Sequence, residues 1–105
     1  MSVTKGNPAG SPTWAFLSNH ARVLICLAAD PNARMRDVAT RVGVTERAVQ
    51  RIVAELQQEG YMTIKRVGRR NQYTVERGRP LRHPMEAHCT AGRLIDLGTP
   101  KDLRG

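Results

Sequence analysis

From Trp14 onward apolar side chains recur at helical spacing: Leu17, Ala21, Leu24 and Ala28 share a stripe that Ile25 and Leu27 widen. The stripe stops at Asp30-Pro31, because proline disfavours helical backbone in the residue before it, and a first helix is expected over this stretch. A second stripe, Met35, Val38, Ala39 and Val42, lies opposite Arg36, Asp37 and Arg41. It predicts a helix over about 34–42, its start marked only by Asn32, a good capping residue. Gly43 breaks the pattern. Thr45 is then placed to cap a third helix that runs to Glu59, with Gly60 as the left-handed residue beyond its end. Val49, Ile52, Val53 and Leu56 are the side of that helix expected to be buried.

After Gly60 the period changes from helical to two. Met62 and Ile64 alternate with Thr63 and Lys65, Gly68-Arg69-Arg70-Asn71 supplies turn chemistry, and Tyr73 and Val75 resume the alternation, which predicts a β-hairpin with a basic tip. Pro80 and Pro84 bracket a connector. Met85 to Leu97 then reads as a fourth helix closed by Gly98 and Pro100. The first thirteen residues hold Gly6, Pro8, Gly10 and Pro12 and too few apolar groups to offset ordering entropy. The expected organisation is a disordered arm over 1–13, a folded unit over 14–79, a connector and helix over 80–98 and a frayed tail over 99–105.

Met35 to Leu56 has the layout of a helix-turn-helix. Ala39 is small where two helices must cross, Gly43 permits the turn, Val44 fills the space beneath it, and Val49 and Ile52 anchor the second helix. With the hairpin as a wing, the expected fold class is α+β, mostly α: a winged helix-turn-helix with an additional C-terminal helix. Thr45, Glu46, Arg47, Gln50 and Arg51 are left exposed at the start of the third helix. An α-helix enters the major groove with its N-terminal residues toward the base edges, where Arg and Gln pair bidentately with guanine and adenine. Arg47, Gln50 and Arg51 are therefore expected to face the bases, with Arg36 and Thr45 on phosphates. Arg66, Arg69 and Arg70 are expected to hold the wing on the flanking backbone or in the minor groove. A solvated helical hairpin followed by a merely solubilising turn would carry the same residue types. The basic hairpin directly after the helix is what favours DNA.

Charge supports this. The chain has 17 Lys and Arg against 9 Asp and Glu, a formal net charge of +8. Between Arg34 and Arg82 twelve basic residues stand against five acidic ones, so most of the excess lies in the winged segment. Such a surface attracts polyanions, in a cell either nucleic acid or an acidic membrane face. The longest apolar run, Val23 to Ala29, is far shorter than the roughly 18 to 20 residues of a membrane span, and no signal-peptide cleavage pattern accompanies it. A cytoplasmic, nucleoid-associated protein with no membrane partner is expected. Cys26 and Cys89 are isolated and are expected to be free thiols.

The stretch GVTERAVQRIVAELQQEGYMTIKRVGRRNQYTV, with its Gly60-Tyr61-Met62 step, its Gly68-Arg69-Arg70-Asn71 wing and Tyr73 on the return strand, resembles the small bacterial winged helix-turn-helix regulators related to the MarR and ArsR groups. The tail Pro80-Leu81-Arg82-His83-Pro84-Met85-Glu86-Ala87-His88 is similar to one that follows the wing in short regulators from G+C-rich bacteria. The resemblance implies a DNA-binding transcriptional regulator. Full-length MarR-type proteins carry long terminal helices that build a dimer and frame a ligand pocket, and this chain resembles them only in its middle. No effector is implied. ArsR-type metal sensors often place paired cysteines in the first helix of the motif, whereas no cysteine lies between Met35 and Leu56.

His83, Glu86, His88 and Cys89 lie close together, but His83 and His88 are five apart and fall on different helix faces. Only Glu86 with Cys89 has ligand spacing, so a capping His83 and a packed His88 are expected rather than a metal site. No cofactor is implied. No nucleophile elbow, phosphate loop or apolar carboxylate pair is present, so no enzyme is expected. Trp14, Phe16 and Leu17, with Met85, His88, Leu94, Ile95 and Leu97, exceed what a three-helix core can bury and are expected to form a homodimer interface. Gly92 inside the fourth helix is expected to admit a neighbouring helix closely. The resulting function is sequence-specific binding of double-stranded DNA by a dimeric repressor. The alternatives are a non-specific nucleoid or architectural binder, a winged-helix protein-interaction module, and a metal- or thiol-responsive regulator.

Overall fold

A computed structural model describes residues 13–99, so the expected arm and tail, apart from Thr13 and Thr99, lie outside the described residues. Along the chain run α1 (Asn19–Ala29), α2 (Met35–Val42), α3 (Glu46–Gln58), β1 (Met62–Val67), β2 (Arg70–Val75), a 3-10 turn (Pro84–Glu86) and α4 (Ala91–Gly98). This is the expected winged helix-turn-helix with one more helix behind it.

Local chemistry sets most of the boundaries. The Ser18 hydroxyl accepts from the Ala21 N–H at 3.1 Å, so α1 begins there and not at Trp14. Arg34, not Asn32, is the cap residue of α2, and it offers no side-chain bond to the helix. Gly43 ends α2 with φ +89°, its N–H donating to the Ala39 carbonyl at 2.8 Å. The Thr45 hydroxyl caps α3 by accepting from the Ala48 N–H at 3.1 Å. Beyond α3, Gly60 at φ +84° lets the Tyr61 N–H return to the Leu56 carbonyl at 2.9 Å, which turns the chain into β1.

The hairpin is antiparallel, pairing Met62 with Val75 and Ile64 with Tyr73 around a Gly68-Arg69 turn. Met62 and Tyr73 are buried, Ile64 and Val75 half-buried, and the alternate residues face outward. The Tyr73 N–H also donates to the Pro31 carbonyl at 2.9 Å, tying β2 to the loop between α1 and α2. Helix α1 is the hub, packing on α2, α3, α4 and β2. Leu27, Ile52, Val23, Val38 and Val49 are almost wholly buried, each contributing about 1.5–3 kcal/mol of apolar transfer.

The C-terminal part departs from expectation. Residues 84–90 are not α-helical: His83 Nδ1 accepts from the Met85 N–H at 3.1 Å to cap a single 3-10 turn, and Pro80 bridges Thr90. The returning backbone takes the first amides of α4, Ala91 N–H to the Arg79 carbonyl and Gly92 N–H to the Arg77 carbonyl, both at 2.8 Å. Gly92 thus admits its own chain rather than a partner's helix, since a Cβ there would lie 3.1 Å from the Arg77 carbonyl oxygen. Gly98 is the last residue of α4, and a Cβ on it would strike Ile25 of α1. Ile95, expected at a dimer interface, is 3 % exposed and belongs to the protomer's own core.

Candidate nucleic-acid interface

Helix α3 separates two faces. Val49, Ile52, Val53 and Leu56 point into the core, and Arg47, Gln50 and Arg51, at i, i+3 and i+4, lie together on the exposed side. Ala54 continues that outward face and is exposed too. Its small side chain leaves the face flat. The sequence reading passed over it, although its spacing from Gln50 and Arg51 carried the signal. Thr45 is engaged as the cap through its hydroxyl, and Arg36 is exposed on α2.

Arg51 is not unattended. Its guanidinium lies 3.5 Å from Glu55, whose other oxygen accepts from His20 Nε2 at 2.6 Å. The His20 hydrogen bond, with the Arg51 charge behind it, holds the Glu55 carboxyl below the usual carboxylate range.

The wing residues are placed unequally. Arg69 occupies the turn, and Arg66 Nε donates to the Gly68 carbonyl at 3.2 Å. Arg70, expected at the tip, is the first residue of β2 and donates to the Asn32 carbonyl at 2.9 Å. No sequence signal marks that contact, because its acceptor is a backbone oxygen 38 residues away. Among the described residues no carboxylate pairs with Arg36, Arg47, Lys65, Arg66, Arg69 or Arg70. The later arginines serve the fold. Arg77 bonds Asp96 at 2.9 Å and the Gly92 carbonyl at 3.3 Å, Arg79 lies over the Tyr61 ring, and Arg82 faces Glu59 at 3.7 Å. Among the described residues positive charge without a carboxylate partner lies on α2, α3 and the wing, and also at Arg22, Arg34 and Arg93.

The histidines and cysteines weighed for metal or thiol chemistry are dispersed. His83 is a cap, while His88 is exposed rather than packed as expected. Among the described residues no three His, Cys, Asp or Glu side chains are grouped to hold a metal. Cys26 is buried, and burial pushes its thiol up against the smaller pull of Arg41, which disfavours the reactive thiolate. Cys89 is half-buried. No helix among the described residues is long and apolar enough to cross a membrane.

Residues 18–62 match a family model described as winged helix-turn-helix DNA-binding. Among solved structures the chain is similar to the PcaV transcriptional regulator from Streptomyces coelicolor, determined in complex with its natural ligand. The TM-score is 0.50 at 20% identity, with 84% of this chain and 66% of that one covered. At this identity the likeness is one of fold, and the chain spans just under two thirds of that regulator's length. A comparison with curated proteins finds no match. The matched segment, the hairpin that follows it and the shared fold give this chain a winged helix-turn-helix, similar over residues 18–62 to a family of DNA-binding ones.

Proposed function

We propose that the protein is a non-enzymatic, cytoplasmic transcriptional regulator, a repressor that binds a palindromic operator in double-stranded DNA as a homodimer. The observation that carries this is the outer face of α3, where Arg47, Gln50 and Arg51 are exposed together beside a wing whose cations lack carboxylate partners. In this reading residues 14–79 bind DNA and 80–98 connect to the dimer-forming surface. Arg47, Gln50 and Arg51 read bases, Arg36 and Thr45 meet phosphates, and Arg66, Arg69 and Arg70 serve the wing. Uncompensated charge on helix and wing speaks against a module that binds only protein.

For the dimer, the support is apolar surface the protomer leaves uncovered: Trp14 is 69% exposed, Phe16 91%, Met85 78% and Leu97 76%. Leu17 and Leu94 are half-buried and His88 is exposed, so all three are available at its margin. Two-fold symmetry would set the two recognition helices about 34 Å apart, one DNA turn.

Selection of bound fragments from the source genome at a fixed salt concentration tests the proposal. The expected result is one palindromic sequence class bound about a thousandfold or more tighter than competitor DNA. Uniform recovery of all fragments would leave an architectural binder, and no recovery would leave a protein-interaction module. Light scattering of the full chain should give a dimer that Leu97→Asp, an exposed change, turns into a folded monomer.

A further inference from the structure

A groove of about 880 Å³ opens where the start of α1, the end of α3 and the 81–86 connector meet. That volume lies in the range of sites that hold a small organic molecule. Its apolar lining comes from Leu24, Leu56, Tyr61, Leu81 and Leu94, with Phe16 at the margin. Trp14, the chain's single tryptophan, packs edge-on against Phe16 with ring centres 5.0 Å apart. The groove draws on the C-terminal half of α3, and none of Arg36, Thr45, Arg47, Gln50 or Arg51 lines it.

Charge decides what such a groove accepts. Three carboxylates, Glu55, Glu59 and Glu86, line the groove; Arg51 pairs with Glu55 and the lining Arg82 with Glu59, which leaves a net −1 held by Glu86 on a chain of +8. Glu55 is shared by His20 and Arg51, and Glu59 faces Arg82 at 3.7 Å. Glu86 has no ion-pair partner among the described residues. An apolar trough with acidic excess and an exposed phenyl ring suits a molecule that is greasy and positive, through burial, Coulomb attraction and cation–π contact together.

We infer that this groove is a binding site for a lipophilic organic cation, an apolar or aromatic amine or onium ion, with Glu86 as the carboxylate open to it. The site goes beyond the assignment of α3 and the wing to DNA and does not depend on that assignment. A second copy of the chain is the competing occupant, because Phe16, Leu17 and Leu94 belong both to the groove and to the proposed dimer surface.

The test titrates the full-length protein with tetraphenylphosphonium and, separately, with tetraphenylborate, which has nearly the same shape and the opposite charge. Trp14 emission and equilibrium dialysis report binding, and light scattering reports the oligomeric state. Saturable binding of the phosphonium about tenfold or more tighter than the borate is expected. Glu86→Gln, an exposed change that leaves melting unaltered, should weaken it about threefold, the effect of one exposed charge. Borate binding as tight as phosphonium binding overturns the assignment, since the net charge of the chain would then be the attractor. So does an affinity unchanged in Glu86→Gln. Phosphonium binding that disappears as the protein dimerises would also overturn it and give the groove to the second copy.

Discussion

His20 and Glu55 lie 35 residues apart in sequence, yet His20 Nε2 sits 2.6 Å from Glu55 Oε1 and ties the first turn of α1 to the C-terminal half of α3. The bond pulls the carboxyl below its ordinary 4.5, desolvation opposes it, and the Arg51 charge adds to the fall. A carboxyl depressed in the folded chain stabilises it above the unfolded value, and that contribution is lost as pH falls through the lowered folded value. Glu55→Gln should therefore melt below the parent at pH 7, with the gap closing as the pH falls from the ordinary 4.5 through the lowered folded value and the parent's carboxyl becomes protonated. A gap that stays constant from pH 7 to pH 3 in melting curves would show that the ionised carboxylate contributes nothing.

The outer face of α3 should be separable from its inner face. Arg47→Ala, Gln50→Ala and Arg51→Ala each remove exposed groups, so unfolding free energies should move by no more than about 0.5 kcal/mol. Binding to the selected operator should weaken by about 1–3 kcal/mol per half-site where a bidentate base contact is lost. Competition binding with operator and with scrambled DNA measures both parts. Parent-like affinity in all three variants would remove α3 as the reading element.

Arg69 and Arg70 adjoin each other in sequence but should behave differently. Arg69 has the turn to itself, and Arg69→Ala should flatten the plot of log affinity against log salt by about 0.9, one released phosphate contact. Arg70 is tied to Asn32, so Arg70→Ala should flatten the plot less while speeding amide exchange at Tyr73, whose N–H bonds Pro31 in the same loop. Equal slopes for the two variants, with unchanged exchange, would make Arg70 an ordinary phosphate ligand.

Local signals account for what could be read in advance. Thr45, Gly43 and Gly60 each act within five residues of themselves, so α3, the turn before it and the exit into β1 were legible from residue type and spacing. The start of α1 was misplaced because the apolar Trp14 to Leu17 run continues the helical pattern, while Ser18 interrupts it by capping. The fourth helix was overextended for a non-local reason. Met85 to Leu97 has enough apolar residues for one helix, but Arg77, Arg79 and Leu81 bond to Gly92, Ala91 and Cys89 from ten or so residues away and hold 84–90 out of it. On the candidate interface, residue types named the exposed arginines. They could not distinguish Arg69 in the turn from Arg70 bound to a distant carbonyl.

Gly92 gives the sharpest test of packing against propensity. Inside a helix, Gly→Ala is worth about 1 kcal/mol in favour of alanine on propensity alone. Here the added methyl would lie 3.1 Å from the Arg77 carbonyl oxygen and 3.2 Å from its Cβ, closer than side-chain carbons normally approach. The Gly92 N–H also donates to that same carbonyl at 2.8 Å, so the two backbones cannot separate without stretching the bond. Overpacking of this kind costs about 1–3 kcal/mol, which outweighs the propensity gain. Gly92→Ala should therefore be destabilised by about 1 kcal/mol in urea unfolding. Its operator affinity should follow the folded fraction alone, because Gly92 is remote in sequence from α3 and the wing. A variant more stable than the parent would mean that the Arg77 turn yields and that Gly92 is not a packing constraint.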